Sequence, residues 1–125
     1  MRLPTPVVSV LLLAMLSACS SLNPLPEQQA RCDLRPKADQ CTDWREFKGV
    51  SLATQQGVCT TLTKAKGGGT YTADQICDLT NSWGGCQTTS ADGSKQTNWY
   101  YKGEQYKTIE DAKKECAGDQ SFVNP

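Results

Sequence analysis

The sequence predicts a small disulfide-rich α+β domain built on a β-hairpin and two or three short helices. Three observations carry that prediction. Six cysteines, Cys32, Cys41, Cys59, Cys77, Cys86 and Cys116, fall in a stretch with only nine large aliphatic and nine aromatic residues among 95. An even cysteine set in a small exported chain reads as a disulfide framework, and so lean a core needs covalent support. An Asp92-Gly93 pair lies between two strand-like runs, which is a hairpin signal. Thr108 stands before a run with acids early, lysines late and Gly118 at its end, the polarity of a capped helix.

The chain divides into residues 1–18, 19–30 and 31–125. Met1-Arg2 is a short basic start, and residues 7–16 are apolar except for Ser9. Ten residues of helix span about 15 Å, half of a bilayer core, so this run fits the apolar part of an export signal rather than a transmembrane helix. Leu16-Ser17-Ala18-Cys19 follows directly. Small residues before a cysteine make this segment resemble the signal peptide and lipobox of bacterial lipoproteins. The resemblance implies cleavage before Cys19, diacylglyceryl transfer to its thiol, acylation of the new amino group with palmitate-type chains, and attachment to the bilayer as partner. Ser20, rather than aspartate, implies the outer membrane of the cell envelope by the same resemblance. Residues 19–30 are polar and carry Pro24 and Pro26, which favour extended backbone, so they are expected to form a flexible tether.

Along residues 31–125, Trp44 and Phe47 have the i, i+3 spacing of a short helix over 42–47. A second helix is expected over 51–62, ended by the turn at Gly67-Gly68-Gly69. Thr72 followed three residues later by Gln75 matches a capping box, and predicts a short helix holding Ile76, Cys77 and Leu79. Residues 84–102 form the expected hairpin, with Trp99 and Tyr101 on one face and Asn98 and Tyr100 on the other. A helix over 109–117 puts Ile109, Ala112 and Cys116 on one side, and 120–123 is expected to add an edge strand. The segments around Cys59 to Tyr71 and Cys116 to Phe122 echo each other as helix, cysteine and aromatic strand. The glycine and cysteine pattern, from Cys59 through Gly67-Gly68-Gly69, Cys77, Gly84-Gly85-Cys86 and Tyr100-Tyr101 to Cys116, is similar to that of small cysteine-rich lipoproteins of unknown function, which implies no activity.

Spacing leaves fifteen disulfide connectivities open, with Cys32–Cys41 a plausible local pair. The intervals between the cysteines are 8, 17, 17, 8 and 29 residues, and the chain has no histidine. That disfavours zinc, which uses close cysteine pairs and often histidine, so no metal or cofactor is expected. Gly67-Gly68-Gly69 lacks the lysine and the following helix of a phosphate loop. Glu110 and Asp111 are helix neighbours that serve the dipole. With no base, nucleophile or metal set, no catalytic residue is assigned and an enzyme is not expected. Equal numbers of basic and acidic residues, 13 each, argue against nucleic acid as a partner.

The aromatic cluster Trp99-Tyr100-Tyr101, with Trp83 and Tyr106, reads first as core. As a binding platform it would use Trp99 and Tyr101, and only one of Trp99 and Tyr100 is expected to be substantially exposed. The role expected is a structural or interaction component of the envelope, with an unidentified envelope protein or glycan as possible partner. The alternative is an inhibitor of a secreted hydrolase, or a glycan- or protein-binding module, that presents residues 90–95 on the disulfide scaffold.

Overall fold

Two antiparallel hairpins lie side by side in the computed structural model, which describes residues 26–48 and 52–125. The first joins β1 (Gln28–Asp33) to β2 (Gln40–Phe47); the second joins β4 (Ser82–Thr89) to β5 (Lys95–Tyr101). Each is followed by a helix and an edge strand: α1 (Leu52–Lys66) and β3 (Thr70–Ala73), then α2 (Ile109–Lys113) and β6 (Ser121–Val123). The described strands form one sheet in the order β3-β1-β2-β5-β4-β6, with every neighbour antiparallel. The sheet and two helices make this a small disulfide-rich α+β domain. β1 takes in Gln28 to Ala30, so the last three residues of the expected tether belong to the sheet.

The order is a ββαβ unit used twice, related by a two-fold pseudosymmetry at the β2–β5 seam. The register makes the relation specific. One row across the sheet reads Tyr71, Cys32, Thr42, Asn98, Cys86, Phe122. Thr42 and Asn98 meet at the centre, where the threonine hydroxyl donates to the side-chain amide oxygen Oδ1 of Asn98 at 2.8 Å. The echo expected between the two helix–strand segments is therefore present, with Tyr71 and Phe122 in matching places.

Residues in one row share a face of the sheet. Cys32 and Cys86 therefore point the same way, and their bridges to Cys59 and Cys116 bring both helical segments onto that face. Cys41 and Trp99 point to the other face, where Cys41 bridges Cys77 in the connection from β3 to β4. That connection, residues 74–81, lies over the face as a strap. Cys32 and Cys41 do not pair as expected. They sit on adjacent strands one step out of register, Cys32 opposite Thr42 and Asp33 opposite Cys41, so their sulfurs emerge on opposite faces.

Three buried clusters result, each around one bridge: Cys32 and Cys59 with Leu34, Trp44 and Leu52; Cys41 and Cys77 with Trp99 and Tyr101; Cys86 with Tyr100, Tyr106 and Ala112, against which Cys116 and Phe122 pack.

Two expected helices are absent. Residues 42–47 belong to β2, and the spacing of Trp44 and Phe47 arises from a bulge. Trp44 lies opposite Ala30 and Phe47 opposite Gln28, and Glu46 takes a φ of 59° between them. The extra residue returns Phe47 to the Trp44 face. Thr72 is inside β3 and starts no helix, because Asp74 turns the chain at φ 60° and the Cys77 bridge draws the following residues across the sheet.

β1, over Gln28–Asp33, lies where no strand was expected; α1, the β4–β5 hairpin, α2 and β6 follow the sequence. α1 is longer than expected, since its threonines cost less than their propensity suggests. Thr60, Thr61 and Thr63 hydroxyls donate to the carbonyls of Gln56, Gly57 and Thr60, satisfied within the helix. Gly67 (φ 79°) ends it, with Gly67 N–H on Lys64 O and Gly68 N–H on Thr63 O, the paired bonds of a Schellman turn. α2 starts at Thr108 with a full capping box through Asp111, but it is shorter than expected. Glu115 and Cys116 donate to Ala112 and Lys113, three residues back, as the chain tightens towards the Cys86 bridge. On β4, Gly84 lies against the Phe122 ring, with which an added Cβ would clash, and an added Cβ on Gly85 would lie 2.9 Å from the Trp99 ring.

These contacts predict opposite outcomes for two glycine-to-alanine changes. At Gly57, inside α1, nothing lies within 4 Å of an added Cβ, so Gly57→Ala should stabilise by about 0.5–1 kcal/mol. Gly84→Ala adds both a clash and a φ of 137°, and should destabilise by about 1–3 kcal/mol or more. Urea midpoints at unchanged slope measure both.

Candidate functional site

The strongest concentration of charge and aromatic rings is on the strap-covered face, around Asp43. Its side chain is fully buried, on a strand covered on both sides. Oδ2 accepts from Trp99 Nε1 at 3.0 Å, from the Cys77 backbone N–H at 3.1 Å and from Arg45 Nη2 at 2.7 Å; Oδ1 accepts from Arg45 Nε at 3.2 Å. Asp43 and Arg45 are two apart on β2 and so share a face. The carboxylate thus fastens a strand, an indole and the strap at once. A buried charge persists only when its oxygens are occupied in this way. With its lone pairs spent on four donors it is a clamp, not a free base.

A second cluster flanks it. Arg35 lies over the Tyr101 ring at 4.0 Å and binds both oxygens of Asp33, at 2.9 and 2.6 Å. Burial works against ionisation of Asp33, but hydrogen bonds from the Arg35 side chain and backbone outweigh it and hold the carboxyl below its ordinary pKa. Tyr101 OH donates to Asp78 O at 2.6 Å, and Arg31 Nη1 to Ile76 O at 3.2 Å. Both bonds fix further points of the strap.

Trp99 and Tyr101, the expected platform, are only 3 % exposed each. Their rings are packed around the Cys41–Cys77 bridge and cannot meet a ligand. Tyr100 is 6 % exposed, so neither member of the Trp99–Tyr100 pair reaches the surface, because the sheet is covered on both faces. The six expected disulfide cysteines are all paired, as Cys32–Cys59, Cys41–Cys77 and Cys86–Cys116. Cys19 and the signal segment lie outside the described residues.

Two shallow clefts accompany these clusters. One, of about 230 Å³, lies between α1 and β3 and is lined by Gln28, Gln56, Tyr71 and Asp74. The other, of about 260 Å³, is lined by Glu104, Tyr106, Lys107, Asp111, Lys114 and Glu115. Asp74 and Glu104 are thus in separate clefts. Asp111 is engaged in the α2 cap, accepting from the N–H groups of Lys107 and Thr108. At the β4–β5 tip, Asp92 Oδ1 accepts from Ser94 N and Oγ at 3.0 and 2.7 Å, which closes the turn.

Sequence reasoning missed Asp43, Arg45 and Arg35. The available signal was the Asp43/Arg45 alternation beside Trp44, which a strand would place as an ion pair on one face. No protein family, curated protein or solved structure matches the chain.

The Asp43 clamp and the buried tyrosines yield two tests. Asp43→Ala strands the Trp99 and Cys77 N–H groups and removes the Arg45 partner, so stability should fall by about 2–4 kcal/mol, read from thermal or urea unfolding with the disulfides intact. Burial, the largest cause, raises Tyr100 and Tyr101 to about 12, whereas an unfolded tyrosine ionises near about 10. Between those values the unfolded chain releases protons that the folded one keeps. Stability should therefore hold up to pH of about 10 and fall as pH rises towards 12, and phenolate absorbance should show three tyrosines that ionise late, because burial raises Tyr106 as well.

Proposed function

We propose that the chain is a bacterial lipoprotein of the cell envelope, held on the outer membrane by acyl chains on Cys19. Its role is structural or interaction-based rather than enzymatic. The observation that carries this reading is the segment Leu16-Ser17-Ala18-Cys19 directly after the apolar run of residues 7–16. Cysteine arithmetic supports it. The chain has seven cysteines, and the three bridges use the six from Cys32 onward. None of those six is left to pair with Cys19, whose thiol is available for acylation.

The energetics are consistent. One acyl chain binds a bilayer marginally and reversibly, whereas two or more hold a protein stably. Cystine formation requires an oxidising compartment, which export through a cleaved signal provides. The two requirements meet in a lipoprotein facing the periplasm or the cell surface.

Intact-mass measurement of the protein purified from membranes tests the anchor and the bridges together. The expected mass is that of a chain starting at Cys19, with acyl groups added and six hydrogens absent. Cys19→Ser should abolish acylation and cleavage; a variant that is processed normally and stays in the membrane fraction refutes the reading.

A further inference from the structure

The pseudosymmetry makes two of the bridges equivalent in place but not in access. Cys32–Cys59 and Cys86–Cys116 each tie the first strand of a unit to its helical segment. Cys59 lies inside α1, with about two turns of helix after it. Cys116 lies beyond the end of the much shorter α2. Cys32, Cys41, Cys59, Cys77 and Cys86 are at most 2 % exposed, whereas Cys116 is partly exposed where it packs against its cluster. Thiol–disulfide exchange begins with attack of a thiolate on a disulfide sulfur, so it depends on access to one. Of the three bridges, Cys86–Cys116 alone includes a residue open to solvent.

The same bridge is the main tie on the chain that follows α2. Residues up to α2 have anchors of their own. Trp83 Nε1 donates to Tyr106 O at 2.9 Å, Gln40 Nε2 donates to the Tyr106 hydroxyl at 2.6 Å, and Ala112 is wholly buried. Beyond α2 the attachments are few. β6 pairs through Ser121, Phe122 and Val123, opposite Gln87, Cys86 and Gly85. Phe122 rests on Gly84, and Gln120 Nε2 donates to Thr88 Oγ1 at 3.4 Å. The bonds from Glu115, Cys116 and Ala117 N–H stay within the segment. A stretch with so few buried apolar contacts and mostly local hydrogen bonds opens at low cost unless it is cross-linked.

We propose that Cys86–Cys116 is a redox-sensitive latch. A dithiol reductant opens it ahead of the other two bridges, and opening frees residues 114–125 from β4 while the rest of the sheet stays folded. One thiolate of the reductant attacks Cys116 Sγ; the S–S bond breaks, and Cys86 leaves as a thiolate and takes up a proton. The second thiol of the reductant attacks the mixed disulfide, Cys116 leaves and is protonated in turn, and the reductant departs as a cyclic disulfide. The dithiol is oxidised by two electrons and the bridge is reduced by the same two. The release uncovers the edge of β4 at residues 85–87, which β6 otherwise pairs. The other strands keep Cys32–Cys59, Cys41–Cys77 and the Asp43 clamp. None of this depends on the anchor at Cys19.

The test treats the full-length protein, in neutral detergent without denaturant, with graded dithiothreitol at about pH 8, near the thiol pKa. Acid quenching, alkylation of free thiols and peptide mass mapping give the rate at which each bridge opens. Cys86 and Cys116 should be alkylated together, about tenfold or more faster than the other four bridged cysteines. Hydrogen exchange on that partly reduced protein should show residues 121–123 losing protection while β1, β2 and β5 keep theirs. Cys86→Ser with Cys116→Ser should give the same exchange pattern with no reductant present. The proposal is overturned if another bridge opens first or all three open together, or if residues 121–123 stay protected once Cys86–Cys116 is open. Loss of protection throughout the sheet, in the partly reduced protein or in the double variant, overturns it equally.

Discussion

Cystine is the core material of this protein, and the rest of the fold is arranged around that constraint. The buried apolar set comprises two leucines, three alanines, five aromatic residues and five cysteines. No single cluster is large enough to hold a six-stranded sheet by burial alone, since a fully buried large side chain contributes only about 1.5–3 kcal/mol. Each cluster instead surrounds one bridge. The sequence separations of 27, 36 and 30 residues correspond to about 3.5–4 kcal/mol apiece in the chain-entropy account. That is comparable with the whole net stability of a small domain. The contributions do not simply add, because the loop from Cys32 to Cys59 overlaps the loop from Cys41 to Cys77.

The two-fold relation explains where the bridges fall, and its violation explains the buried charge. Cys32–Cys59 and Cys86–Cys116 occupy equivalent places, each tying the first strand of a unit to its helical segment. Cys41–Cys77 has no counterpart, because only one connection links the two units and only that connection can cross the second face. Covering a sheet with a strap of polar residues, rather than a helix, leaves few apolar contacts to hold it. Asp43, Arg31 and Tyr101 replace those contacts with hydrogen bonds to the Cys77, Ile76 and Asp78 backbone. The carboxylate is buried because the strap lies over it, and the strap stays because the carboxylate accepts from it.

What could be read in the sequence was local; what could not was tertiary. The β4–β5 hairpin, α1, the α2 cap and the β6 edge follow from Asp92-Gly93, Gly67-Gly68-Gly69, Thr108 with Asp111, and the aromatic at 122. Each depends on residues within a few positions of one another. β2 was hidden because both its faces are covered, so Cys41, Thr42, Asp43 and Trp44 are all buried and no apolar–polar alternation marks the strand. The bulge at Glu46 then produced a helical spacing inside extended chain. The Thr72–Gln75 capping signal was equally genuine as local chemistry, and it lost to a bridge made with a cysteine 36 residues earlier. Of the site, the cysteines were legible as a set but not as pairs, since pairing depends on which face each strand presents. Asp43 was not legible at all, because an aspartate in a polar stretch looks like a solvated one until a strand and a strap enclose it.

The burial of Trp99 and Tyr101 also changes where a partner can bind. A chain this poor in aliphatic side chains must use its aromatic rings inside, around the sulfurs, so they are spent before they can serve a surface. What remains outside among the described residues is polar: lysine, threonine and amide side chains, together with acids such as Asp74, Glu104, Glu110 and Glu115. Such a surface recognises charge and hydrogen-bonding groups over a broad area rather than an apolar anchor in a pocket. Helix polarity favours cations in the last turn of α1, and the glycine turn that ends the helix brings Lys37 of the first hairpin against it.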